Sequence, residues 1–196
     1  MRNMPDLLIV HVGWEWVMAS EGQLPPPEQY CEHRDRFHAK LERLRRELTQ
    51  AGSDENDAFL LHALLSEIGG NSFDHNIGQW KDMPGVYFAH EIAATGVTVV
   101  LADRGQGILT TLRRVRPGIA SDEEALRVAF LERISGRSPE RRGNGLKFVR
   151  ETIMEDSVDL FFQSGTATYA IERKQERWEK TDTHLNGCFA ILTFPR

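Results

Sequence analysis

Cysteine is scarce: two in 196 residues, Cys31 and Cys188, too few and too far apart for a disulfide framework or a zinc cage. Their scarcity points to a reducing compartment, with the cytoplasm as the expected location. Long apolar runs are missing as well. The longest near the start, Leu7-Leu8-Ile9-Val10, is too short for a secretory signal core, and nothing approaches the ~20 residues that span a bilayer, so no membrane partner is expected. Nor is there an excess of positive charge. With 24 Lys+Arg against 29 Asp+Glu the formal net charge is -5, which disfavours a broad grip on phosphates, so direct nucleic-acid binding is not expected. No internal repeat or low-complexity tract is found. What the chain has is an ordinary globular composition, 40% hydrophobic and 27% charged, in a length that fits one domain with a short appendage.

Residues Asp6 to Val12 read as a short buried strand, followed by the breaker Gly22-Gln23-Leu24-Pro25-Pro26-Pro27. Glu28 to Gln50 reads as a helix with one apolar stripe, Tyr30, Phe37, Leu41, Leu44 and Leu48. Ser53 or Asp54 can cap a second helix running toward His75. Val86 to Ala93 and Val97 to Ala102, with Thr95-Gly96 between them, predict a hairpin. Ser121-Asp122-Glu123-Glu124 opens a helix to about Glu132, Ser135 to Gly145 reads as a mobile loop, and Leu146 to about Glu155 as a short helix. Three strands close the chain, Val158 to Gln163, Thr166 to Arg173 and Gly187 to Phe194, with the charged Lys174 to Leu185 as a long connection. Residues 1–52 thus form an N-terminal strand, breaker and helix, and 53–196 a second unit.

Three segments carry chemistry. Glu67, Asn71, Asp74 and His75 share one stripe of a helix and bring a carboxylate, an amide and an imidazole together. The plain alternative is a solvated helix face. Gly69-Gly70 counts against that, because each glycine costs a helix roughly 1 kcal/mol relative to alanine, and such positions usually have something pressed against them. The second segment is Asp103-Arg104-Gly105-Gln106-Gly107-Ile108 at a strand end, where glycines allow close backbone approach or positive φ and Asp103 leads into an opening. An ordinary strand-to-helix turn would look the same. It is no dinucleotide fingerprint, because Thr110 stands where the third glycine belongs, and no G-x-x-x-x-G-K-[ST] occurs. The third is Arg141-Arg142-Gly143-Asn144-Gly145-Leu146-Lys147, a Gly-x-Gly running into a helix start, which suits phosphates and equally describes a loop of solvated arginines.

In order and spacing these segments resemble the GHKL superfamily of ATPases, which includes DNA gyrase, heat-shock chaperones, sensor histidine kinases and mismatch-repair proteins. Glu67-Ile68-Gly69-Gly70-Asn71 is similar to its N-box, Asp103 to Ile108 to its first glycine box, and Gly143-Asn144-Gly145-Leu146 to its second. Gly187 to Pro195 is similar to its closing strand, and the resemblance covers about Asp54 to Arg196. With Asn71 followed four residues later by His75, the pattern is closest to the anti-sigma-factor serine kinases. The resemblance implies an α/β fold of the Bergerat type: a two-layer α/β sandwich with a mixed, largely antiparallel sheet and helices on one face.

Carried over residue by residue, the resemblance implies a Mg-ATP site. Asp103 would accept the adenine amino proton, with Gly105, Gly107 and Ile108 around the base. Asn71 would ligate Mg2+. Gly143, Gly145 and Leu146, with Asn144 among them, would offer backbone N–H groups to the phosphates under a lid of Ser135 to Arg142. Proximity and sign, not the resemblance, suggest Arg142 and Lys147 as phosphate-neutralising charges, with solvated lid charges as the alternative, and His75 could contact phosphate or structure the helix end. Glu67 would be the general base, for water or for a hydroxyl on a partner protein. Cys188 stands where the family commonly has threonine, a stronger hydrogen-bond donor. The implied function is a regulatory protein serine/threonine kinase or ATPase acting on a partner protein, or else a nucleotide-dependent binding module without turnover. Trp14 and Trp16 have no counterpart in the family and are expected to pack on the domain or to form a homodimer or partner surface.

Overall fold

The computed structural model describes residues 4–133 and 145–195. In chain order it contains helix α1 (Leu8–Met18), a 3-10 turn (Pro27–Gln29), strand β1 (Tyr30–Cys31), helices α2 (Arg34–Gln50) and α3 (Glu55–Asn76), and strands β2 (Val86–Ala93) and β3 (Gly96–Asp103). Helices α4 (Gly107–Arg113), α5 (Asp122–Leu131) and α6 (Gly145–Glu155) follow, then strands β4 (Asp159–Glu172) and β5 (Gln175–Pro195). The five strands lie in the order β1-β2-β3-β5-β4, every pairing antiparallel. This is a mixed α/β fold with an open antiparallel sheet, consistent with a two-layer sandwich. No described helix is long and apolar enough to cross a membrane.

Strand alternation divides the apolar side chains between two faces. Val86, Phe88, Val97, Val99, Leu101, Leu160, Phe162, Ala190 and Leu192 point into a large core with α2, α3, α5 and α6. Tyr87, Ala89, Val100, Ala102, Phe189 and Ile191 point the other way, into a smaller core with Val10, Trp16 and Val17 of α1. The expectation of helices on one face therefore gains an addition: α1 covers the second face. There Trp14 meets Phe189 edge-on at 5.2 Å, and Trp16 lies 6.2 Å from Tyr87. The two tryptophans pack on the domain.

Several local expectations hold. Asp54 caps α3, accepting from the Asn56 N–H at 2.8 Å, and Ser121 caps α5, accepting from the Glu124 N–H at 3.1 Å. The hairpin β2–β3 falls at the expected residues, with Gly96 at φ 152.

Three are corrected. The strand expected over Asp6 to Val12 is instead the start of α1. A short apolar run has no period of its own, and the buried set Val10, Gly13, Trp16 and Val17 follows a helical period. A Cβ on Gly13 would come within 2.7 Å of the Tyr87 ring, which is why glycine stands mid-helix. The helix expected from Glu28 starts at Arg34, because Tyr30–Cys31 pair with Tyr87 and Val86 as an edge strand. The connection expected over Lys174 to Leu185 is strand: Arg173 and Lys174, at φ 50 and 64, make a two-residue turn, and Glu172 pairs with Gln175. Its polarity reflects an exposed hairpin arm, with a register shift near Gly165 where the arm leaves the body of the sheet.

Candidate functional site

A cleft of about 460 Å³, open to solvent, lies between α3, the start of α4 and the sheet end. Ile68, Leu101, Ile108, Leu146, Phe162 and Ala190 give it apolar walls, and Asn71, Ser72, His75, Asn76, Asp103 and Cys188 supply its polar groups. Of the residues singled out from sequence, Asn71, His75, Asp103, Gly107, Ile108, Leu146 and Cys188 line this cleft together. Arg142, Gly143 and Asn144, with the expected lid, lie outside the described residues.

Asp103 is the last residue of β3 and 2% exposed. Its side chain is held by donors from three directions. The Ser72 hydroxyl donates to Oδ2 at 2.8 Å, the Asn76 amide donates to Oδ1 at 3.2 Å, and the Gly105 N–H donates to Oδ1 at 2.9 Å. Burial pushes the Asp103 carboxyl above the usual carboxylate range, and these donors, with the Cys188 backbone, oppose that rise. Cys188 pairs with Asp103 on one side and Ser164 on the other, so a polar row crosses the sheet end. Burial, then the neighbouring Asp103 charge, raises the Cys188 thiol well above its ordinary value, so a neutral thiol faces the carboxylate.

The glycines divide by task. Gly107 has φ 75 and turns the chain into α4 within the cleft, its Cα facing the Ser164 hydroxyl. Gly105 does not line the cleft: it is buried, and a Cβ there would come within 2.1 Å of the Asn76 amide. Gly145 begins α6 next to the cleft residue Leu146, and a Cβ there would come within 2.7 Å of Glu67 Oε2 and 3.4 Å of Asn71 Nδ2. Glu67 is exposed and, like Gly145, does not line the cleft, whereas Asn71 is half-buried and does, so a carboxylate and an amide meet the start of α6 beside it.

One reading of the α3 stripe changes: Asp74 turns away from the cleft and pairs with Arg34 of α2. The expectation that something presses on the glycine pair holds at Gly69, where a Cβ would approach the Phe37 ring of α2 to 2.2 Å, and not at Gly70, where a Cβ would meet nothing. Lys147 pairs with Glu151 at 3.7 Å along its own helix.

Sequence reasoning missed Ser72 and Asn76. The signal was present: Asn71, Ser72, His75 and Asn76 fall at i, i+1, i+4 and i+5, two adjacent stripes of one helix face. Arg104 had no role assigned from sequence either. It is fully buried on the opposite face, bonding Asp82 through Nε at 2.9 Å and Nη2 at 2.5 Å, and donating to the carbonyls of Trp16, Val17 and Ala19. It thereby satisfies carbonyls that the end of α1 leaves unpaired.

Chemically, the cleft offers apolar walls with one buried carboxylate, and beside it a second carboxylate and an amide at a helix start. A scan against protein-family models finds no match, and a search of curated proteins finds none.

Proposed function

We propose that this cleft binds Mg-ATP and that the protein is a GHKL-type regulator, a serine/threonine kinase of the anti-sigma kind or an ATPase, acting on a partner protein. The observation that carries the reading is the Asp103 carboxylate, buried in an apolar-walled cleft that Asn71 also lines, with Glu67 and Asn71 both close to the first residue of α6. The donor set suits the cofactor. Ile68, Ile108, Leu146 and Phe162 would enclose a flat heterocycle, and Asp103, an acceptor only when ionised, favours a base that presents an amino group over one that presents an oxygen. Asn71 offers magnesium one protein ligand, in keeping with that ion's habit of retaining water and phosphate oxygens.

Bound Mg-ATP would supply the transferable phosphoryl group. The residues of this chain do the rest: Asp103 orients the base, Asn71 holds the metal side of the phosphates, and Glu67 takes the proton from the attacking hydroxyl or water. N–H groups at the start of α6 would be the donors for the phosphates. Two free thiols, Cys31 and Cys188, fit a reducing cytoplasm.

The test is a calorimetric titration with Mg-ATP, with Mg-GTP and Asp103→Ala as controls. Binding of ATP alone, weakened by about ten- to a hundredfold in the variant, is expected for loss of a hydrogen bond to a buried charge. A well-folded protein that binds neither nucleotide refutes the proposal. Glu67→Gln then separates turnover from switching: transfer is expected to disappear with ATP affinity kept, and a partner response that survives the change intact assigns a binding module instead.

A further inference from the structure

Asn76 closes α3 and is 4% exposed, with both ends of its amide engaged. Its Nδ2 donates to Asp103 Oδ1 at 3.2 Å while its Oδ1 accepts from the Gln106 N–H at 3.0 Å. These two bonds require opposite chemistry at the two ends, so they fix which way the amide is turned. The slot is tight, for a Cβ on Gly105 would lie 2.1 to 2.3 Å from the amide atoms. The neighbouring His75 carbonyl accepts from Gln106 Nε2 at 2.5 Å, so the end of α3 and the 103–106 loop are joined at several points.

We propose that Asn76 is a positioning residue for ligand recognition: it anchors Oδ1 of Asp103 and so holds the carboxylate in one orientation at the cleft. The inference rests on the reading of Asp103 as the acceptor for the base of Mg-ATP. Asn76 and the Gly105 N–H hold Oδ1, Ser72 holds Oδ2, and the Cys188 backbone is a further partner of the carboxylate. Without Asn76 the carboxylate keeps Ser72 and the Gly105 N–H but loses one of the two donors that fix Oδ1, a donor that opposes the effect of burial. Cys188 on β5 is the titratable group facing Asp103 from the sheet. His75 on α3 lines the same cleft, and Arg104 turns to Asp82 on the far side.

The experiment follows two readouts on the full chain, wild type and Asn76→Ala. One is the titration of the Asp103 carboxyl by carbon-13 NMR; the other is Mg-ATP affinity by calorimetry from roughly pH 5 to pH 8. The expected result is an Asp103 titration moved to higher pH, an affinity about tenfold weaker near neutrality, and an acid-side loss of affinity that begins at higher pH than in wild type. Thermal destabilisation with an unchanged Asp103 titration and an unchanged pH profile would overturn the proposal and leave Asn76 a packing residue. Should Asn76→Ala fail to fold, Asn76→Asp keeps the shape but replaces the donor by an acceptor. It is expected to raise the Asp103 titration further, and no change there overturns the proposal equally. Failure of the wild type to bind Mg-ATP refutes the nucleotide reading by itself, while the carboxyl titration still decides whether Asn76 governs Asp103.

Discussion

On one face of the sheet Asp103 sits beneath an open cleft; on the other Arg104, the next residue, is sealed beneath α1. Both are buried charges, and they are stabilised differently. Asp103 meets neutral donors, Ser72, Asn76 and backbone N–H groups, and lines the cleft with no opposite charge bonded to it. Arg104 meets an opposite charge, Asp82, and three carbonyls, which occupy its donors on both sides of the guanidinium. The first arrangement is suited to binding something else. The second is suited to holding the protein together, tying the end of α1 to the loop before β2 and to the end of β3.

The sharpest way to break that contrast is Arg104→Ala. Removing one partner of a buried ion pair and leaving carbonyls unpaired is expected to cost about 3–5 kcal/mol, measured by denaturant unfolding, whereas Asp103→Ala is expected to lose ligand binding with a much smaller loss of stability. Equal destabilisation by both would erase the distinction between a site and a clamp. Where α3 packs on α2, Gly69→Ala drives a Cβ into the Phe37 ring and is expected to cost about 1–3 kcal/mol by overpacking. Gly70→Ala, with open space around its Cα, is expected to stabilise by up to about 1 kcal/mol through helix propensity, and thermal melts of the pair test the assignment.

The two carboxylates also give opposite pH dependence. Hydrogen bonding to Arg104 holds the Asp82 carboxyl below its ordinary value, so its contribution is present in full above the unfolded-state carboxylate range and is lost as pH falls through the lower folded-state value. Burial raises Asp103, so its ionisation costs stability above its folded-state value, and that cost disappears as pH falls through that value toward the ordinary range. Stability against pH for Asp82→Asn and Asp103→Asn, each relative to wild type, is therefore expected to diverge in opposite directions on acidification. The smallest effect expected is from Cys188→Thr, which exchanges a weak thiol donor for a hydroxyl beside Asp103 and is predicted to tighten Mg-ATP binding by about a fewfold, read by calorimetry.

Much of the cleft was legible because its parts are local. Asn71, His75 and Glu67 lie on consecutive turns of α3, and Asp103 through Ile108 form one strand-to-helix corner, so spacing alone groups them. The caps Asp54 and Ser121 and the β2–β3 hairpin were legible for the same reason: each is decided within a few residues. What failed was long-range. The apolar start of α1 is ambiguous until the second sheet face exists to bury it. The polar arm of β5 reads as a loop until β4 pairs with it. That something presses on Gly69 was legible, but not that it is Phe37, far away in the chain.

Helix and strand periods, turn chemistry and the short motifs were thus fixed along the chain itself, because they depend on sterics and hydrogen bonding between near neighbours. Which buried charge opens to a cleft and which is sealed was settled only by packing. Asp103 ends β3 and Arg104 is the residue just past it, their side chains lie on opposite faces, and what covers each face depends on helices brought in from elsewhere in the chain.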